Sequence, residues 1–311
     1  AEVIVTPGPS FNVQPQDVQI CEGATISALT VSYINGVGTP TYQWFSNVIN
    51  NNSGGTIITG ATNPAYTPPT TSAGTTYYYC TVTLTGGGCP QIESSTAEVI
   101  VHPDPTINLN PTITQMICIG GTISNPLEVG YTNGIGIPTY QWYSNTTNSN
   151  IGGTIIAGAN SNLYTTPTFN SPGNYYYYCE ISLSGNGCDN VTSAAGEIQV
   201  FNDPIVTDPI TTQQLCENTT PTDLQVSASG GMPGSAFTYQ WYSNTVNSNA
   251  GGTIITGATN PTYTPTTASS NTTYYYCVVQ QDNGNTGCES ISNTAEVIVT
   301  PGPSFNVQPQ D

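Results

Sequence analysis

Along this chain apolar and polar residues alternate in short runs rich in Val, Ile, Thr and Tyr, and no stretch shows the 3.6-residue period of a helix. Leu29, Val31 and Tyr33 share one face of an early run, repeated by Leu127, Val129, Tyr131 and by Leu224, Val226, Ala228. A later run sets Tyr78, Cys80, Val82 and Leu84 on one face, with copies at Tyr177, Cys179, Ile181, Leu183 and at Tyr275, Cys277, Val279. The closing run alternates Ala97, Val99, Val101, then Ile198, Val200, then Ala295, Val297, Val299. Gly, Pro and Asn punctuate the runs about every 8–12 residues, the signature of β-sandwiches.

These copies are part of a larger self-similarity. Tyr-Gln-Trp recurs at 42–44, 140–142 and 239–241, so the tryptophans stand 98 and 99 residues apart. Residues 1–17 return letter for letter as 295–311, which predicts a window on a longer tandem array. Pro-rich joints at 6–11, 102–107 and 202–206 divide it. The expected layout is the end of a preceding repeat at 1–6, domains at 7–102, 103–202 and 203–300, and the start of the next repeat at 301–311. Short linkers holding Pro are stiff, so an elongated rod is expected.

Composition narrows the partners. There is no Lys or Arg among 311 residues, and the formal charge is −18. No salt bridge can form between side chains of Lys or Arg and acids, and nothing basic is available to neutralise phosphates, which excludes nucleic acid. No stretch reaches the roughly 18 apolar residues that a bilayer span needs, so no membrane insertion by this segment is expected. Catalysis is not expected either: the one His, His102, sits in a joint, and acyl transfer needs a nucleophile, a base and an orienting group together. No cofactor is implied. The acids cluster at strand ends and joints, where Glu22 and Asp104 could share a calcium ion, although calcium usually takes six to eight oxygens.

The cysteines fall three per unit: Cys21, Cys80, Cys89; Cys118, Cys179, Cys188; Cys216, Cys277, Cys288. No C-x-x-C pair exists, and regular placement in a Thr/Asn/Gly-rich repeat suits an oxidising, extracellular setting. If Tyr78, Cys80 and Val82 point inward, Tyr77 and Tyr79 point outward. Phe45 joins them, and Tyr143, Tyr176, Tyr178 and Tyr242, Tyr274, Tyr276 repeat the set. Such a face could stack on sugars or grip apolar surfaces, although Tyr also favours half-exposed strand positions without any ligand.

A Trp on the third strand, a Tyr two residues before a Cys on the sixth, and the Glu22-Gly23 turn resemble an immunoglobulin-type sandwich, with Val31, Val129 or Val226 in place of the second-strand cysteine. The string TYQWYSN…GGTIITGATNPTYTP…YYYC…GC…AEVIV further resembles Ig-like repeats of giant cell-surface adhesins of gliding Bacteroidota, the SprB-like proteins exported by type IX secretion. The resemblance implies an all-β tandem array of immunoglobulin-like β-sandwich domains. It implies a cell-surface filament attached to the outer membrane, giving length and distributed adhesion in gliding motility. Carbohydrate-binding modules of an extracellular polysaccharide hydrolase are the alternative. Neighbouring repeats are the expected partners, with surfaces or polysaccharides beyond them.

In that topology the first cysteine of a unit lies at its lower end, the second faces the core, and the third lies at an upper-end turn. Two solutions stay open. Internal pairs such as Cys21–Cys89 or Cys21–Cys80 are one. Staples across the joints are the other: Cys21–Cys188 and Cys118–Cys288, with the core cysteines Cys80, Cys179 and Cys277 reduced, Cys216 sent to a following unit and Cys89 to a preceding one.

Overall fold

The computed structural model describes residues 2–111, 114–209, 212–282 and 286–304, so the expected flanking repeats lie partly outside the described residues. Within them the chain is built of β-strands in three successive sandwiches of one topology. In the first, Val18–Cys21 runs parallel to Ala97–His102. Ala97–His102 pairs antiparallel with Gly74–Thr85, and Gly74–Thr85 with Thr39–Asn47, whose other edge carries Thr56–Ile57. The facing layer consists of two ladders, Ser10–Val13 with Ser32–Ile34 and Leu29–Thr30 with Ala65–Tyr66. The second and third units repeat every one of these pairings.

The alternation seen in the sequence is the cause of this layering. Ala97, Val99 and Val101 are buried while Glu98, Ile100 and His102 between them are half-buried. Leu29 and Val31 are buried, but their run is two strands rather than one. It breaks at Val31, whose N–H turns to the carbonyl of Pro64, and Tyr33 pairs with Phe11 in the other ladder.

Trp44 is wholly buried opposite Cys80, among Val31, Tyr78 and Val99. A buried indole needs a partner for its N–H, and Trp44 Nε1 donates to Asn63 O at 2.9 Å. Trp142 and Trp241 do the same to Ser161 and Asn260. The Gln of Tyr-Gln-Trp has its own task. Gln43 Nε2 donates to the carbonyls of Trp44 and Ile58, at 2.9 and 2.8 Å, pinning the edge strand, and Gln141 and Gln240 repeat both bonds.

Candidate functional site

The joints between sandwiches bring together the residues of greatest chemical interest. At the lower end of the first unit, Val18–Cys21 finishes beside His102, and the chain turns through Glu22 and Gly23. The glycine has φ +72°, and its N–H reaches Thr70 O. At the upper end of the second unit the turn after Gly173–Ser184 presents Asn186, Gly187 and Cys188. The two ends meet: Cys21 and Cys188 form a disulfide with Cα atoms 4.8 Å apart, and Cys21 N–H donates to Asn186 O at 3.0 Å.

The second joint has the same parts. Cys118 and Cys288 form a disulfide with Cα atoms 4.9 Å apart, and Cys118 N–H donates to Thr286 O at 3.0 Å. Here Met232 and Phe201 pack on the bridge. The loop bearing Met232 is held by Gln281, a buried amide that accepts the Met232 N–H at 2.7 Å and donates to the carbonyls of Met232 and Ser235. Leu84 and Leu183 occupy the equivalent strand positions in the other units, so the third unit has exchanged an apolar plug for a polar clamp.

Each joint cysteine on the upper end of a unit follows a glycine, and the structure shows why. A Cβ on Gly187 would lie 2.5 Å from the Ala24 Cβ, and one on Gly287 would lie 2.6 Å from the Gly121 Cα. Both glycines also have φ in the left-handed region, +68° and +79°. The recurring Gly-Cys dipeptide was visible in the sequence, but its purpose, close approach between units, was not.

Of the two pairing solutions, the structure therefore contains the staples and neither internal pair. Cys80, Cys179 and Cys277 are free thiols fully enclosed in the cores, and burial pushes each up to about 12. Cys89 is free and half-buried, and Cys216 is free and exposed. Each core cysteine shares its backbone with a buried serine. Ser94 Oγ accepts the Cys80 N–H at 2.9 Å and donates to Ser95 O at 2.8 Å, and Ser193 and Ser292 repeat both contacts. Sequence reasoning missed these serines, which look like ordinary surface residues in a Ser/Thr-rich chain.

The acids expected near the joint hold backbone amides. Glu22 Oε1 accepts the Ala73 N–H at 2.8 Å and Asp104 Oδ1 accepts the Asp189 N–H at 3.2 Å. Asp104 also stands with Cys21 and Cys188 in a group whose ligand atoms lie within 4.8 Å, but both sulfurs are joined to each other.

The outward aromatic face needs correction. Tyr79, Tyr178 and Tyr276 are buried, because the Gly-Gly loop after the neighbouring strand folds down over them. Gly55, Gly153 and Gly252 each donate a backbone N–H to the tyrosine hydroxyl, at 3.0–3.1 Å. Phe45, Tyr143 and Tyr242 are half-buried and lie parallel to those rings at 5.0–5.1 Å. Tyr77, Tyr176 and Tyr274 are half-buried, and their hydroxyls donate to Glu98, Glu197 and Glu296. The loops thus remove Tyr79, Tyr178 and Tyr276 from the expected face, while the other six aromatics stay half-buried.

The family described as "Domain of unknown function (DUF8696)" matches residues 12–103 and 209–301, together more than half of the chain. The chain belongs to this family. Its two matched stretches fall on the first and third sandwiches. No curated protein sequence matches the chain. Among solved structures it is similar to Sidekick-1 immunoglobulin domains 1-5, at 15% identity over 96% of this chain, with a TM-score of 0.46; it spans 60% of that fragment's length. It is similar to the I-band fragment I67-I69 from titin at 12% identity, covering 96% of this chain and 99% of that one, TM-score 0.45. Fibronectin(III)-like modules of Clostridium thermocellum CbhA align at 15% identity over 67% of this chain and all of that one, TM-score 0.33. Identities this low carry no function across.

Proposed function

We propose that the chain is a stalk segment of a large extracellular adhesin, in which stapled β-sandwiches supply length and carry tension. The observation that carries this reading is the placement of the disulfides. Both link one unit to the next rather than closing a core, with sequence separations of 167 and 170. A bridge that stabilises a single sandwich need not cross a joint, whereas one that crosses it stops the joint opening. Disulfides persist in oxidising compartments, in keeping with a cell-surface location. Binding would be spread weakly over many copies, or held at a tip elsewhere in the protein, and would gain from avidity. The resemblance to SprB-like adhesins of gliding Bacteroidota makes a type IX-secreted, outer-membrane-attached filament of gliding motility the specific form of this proposal. It is a non-enzymatic role, with neighbouring repeats as the first partners. Loops cover Tyr79, Tyr178 and Tyr276, which leaves a smaller aromatic face for the carbohydrate-module alternative.

Force measurement on the intact chain tests it. With both staples closed, the fully stretched covalent path runs from residue 21 to 188, back to 118, and across to 288. Segments 22–117 and 189–287 are bypassed. Reduction should therefore lengthen the fully extended chain by about 600–700 Å, at roughly 3.3–3.6 Å per residue. Equal contour lengths with and without reductant would refute a tension-carrying role for the staples.

A further inference from the structure

Among the described residues, the lower end of the third unit carries every part of a joint and nothing is seated on it. Leu215 and Cys216 end the strand Thr212–Cys216, which runs parallel to the closing strand and sets them opposite Val299 and Thr300, as Ile20 and Cys21 stand opposite Val101 and His102, and Ile117 and Cys118 opposite Val200 and Phe201. In the two filled joints Cys21 and Cys118 are 0% exposed. Cys216 is exposed and free, and Leu215 is half-buried. The upper end of the first unit is the complementary half. Gly88 precedes the free Cys89 with φ +70°, the backbone of Gly187 and Gly287, yet a Cβ there would meet nothing within 4 Å, where those two press on a neighbour.

We infer that the Cys216 end of the third unit receives the Cys89 end of a second copy of this chain, sealed by a Cys216–Cys89 disulfide. The occupant is specified by the parts: each filled joint takes a left-handed glycine followed by a cysteine, and Gly88–Cys89 is such a pair with its cysteine free and open space at its glycine. In the docked pair Gly88 would approach Thr219, which is exposed and stands three residues after Cys216, as Ala24 and Gly121 stand three after Cys21 and Cys118. Gly87 O would accept the Cys216 N–H, the part played by Asn186 O and Thr286 O. A small disulfide such as oxidised glutathione serves as oxidant. Its exchange with the Cys89 thiolate gives a mixed disulfide and releases one small thiolate. The Cys216 thiolate then attacks the Cys89 sulfur, forming the inter-chain S–S bond and expelling the second small thiolate. This contact goes beyond the stalk reading, because stretching a single chain does not depend on it.

The test uses the full chain with its two staples intact, incubated in a mixture of oxidised and reduced glutathione. Light scattering should show a ladder of multimers that reductant returns to monomer. Non-reducing chymotryptic maps should contain the Cys89–Cys216 peptide at about ten-fold or more over Cys89–Cys89 and Cys216–Cys216. Mixing Cys89→Ser with Cys216→Ser chains should stop growth at the dimer. Thr219→Trp should slow heterotypic linkage about five-fold or more relative to Thr219→Val, which equally loses the Thr219 hydroxyl's bond to Cys216 O but adds no bulk. Persistent monomer, a statistical mixture of the three linkages, or indifference to Thr219→Trp would each overturn the inference.

Discussion

Gly55 donates its backbone N–H to the hydroxyl of Tyr79 at 3.1 Å, with the ring of that tyrosine directly beneath the loop. A Cβ at Gly55 would lie 2.9 Å from Tyr79 Cε1 and 2.8 Å from Ser46 O, so backbone as well as side chain would have to give. Gly55→Ala should therefore destabilise the first unit by about 1–3 kcal/mol through overpacking. Tyr79→Phe should destabilise it less, through the orphaned amide alone. Chemical denaturation of single-unit variants measures both, and an alanine as stable as the parent would contradict the covered-ring geometry.

This contact also marks how far the sequence could be read. Period-two alternation correctly put Tyr79 on the face opposite Cys80. What lies on that face is decided by a loop more than 20 residues away, and alternation says nothing about long-range cover. The tryptophans and the inward Tyr78, Val82 and Val99 were legible because burial follows a local period. The joint cysteines were legible as candidates because they repeat, but their pairing depended on how units meet, a property of tertiary placement. Ser94 and Gln281 were illegible because polar residues read as surface unless their partners are known.

Ser94 should respond as a buried bond rather than a surface hydroxyl. Its removal leaves the Cys80 N–H enclosed without an acceptor, a penalty of about 1–3 kcal/mol. Ser94→Ala should lower stability by that amount and speed hydrogen exchange at Cys80. Substituting its exposed neighbour Ser95 by alanine should shift stability by under about 0.5 kcal/mol.

Alkali should unfold the chain from its cores outward. Cys80, Cys179 and Cys277 are pushed by burial from the ordinary 9.0 to about 12, and burial raises Tyr78, Tyr177 and Tyr275 from 10.0. The folded state keeps protons that the unfolded chain surrenders. Their stabilisation is thus complete below pH 9 and is lost as pH rises through the folded values, at up to about 1.4 kcal/mol per pH unit for each group. Melting temperature should hold to about pH 9 and then fall steeply. Cys80→Ala should flatten the fall in the first unit, and a constant melting temperature to pH 11 would sink this account.

On the acid side the expected response is slight. With no Lys or Arg, no such cation loses a partner when carboxylates protonate, and the charge of −18 is relieved. Burial raises Asp203, so its neutral form is favoured in the fold and its contribution to stability rises as pH falls through that range. Melting temperature should stay level or rise from pH 7 to about pH 4. It should also stay level or rise when salt goes from about 0.05 to about 0.5 M, since screening weakens only repulsion. A steep drop on acidification would overturn this expectation.

Reduction should cost more stability than the loss of any single core contact. Each staple closes a loop far longer than one sandwich, 167 and 170 residues, and the chain-entropy argument assigns such loops about 5 kcal/mol apiece. The two loops overlap between residues 118 and 188, so the second unit belongs to both and should be protected most. Calorimetry of the oxidised chain should show units melting together, because each is tied to its neighbour. Reduced chains should melt several degrees lower and resolve into separate transitions. Cys118→Ser should release the third unit while leaving the first two coupled through Cys21–Cys188, and Cys21→Ser should release the first. If both single variants instead lowered all three transitions equally, the staples would be acting on the fold as a whole rather than on the joints they cross.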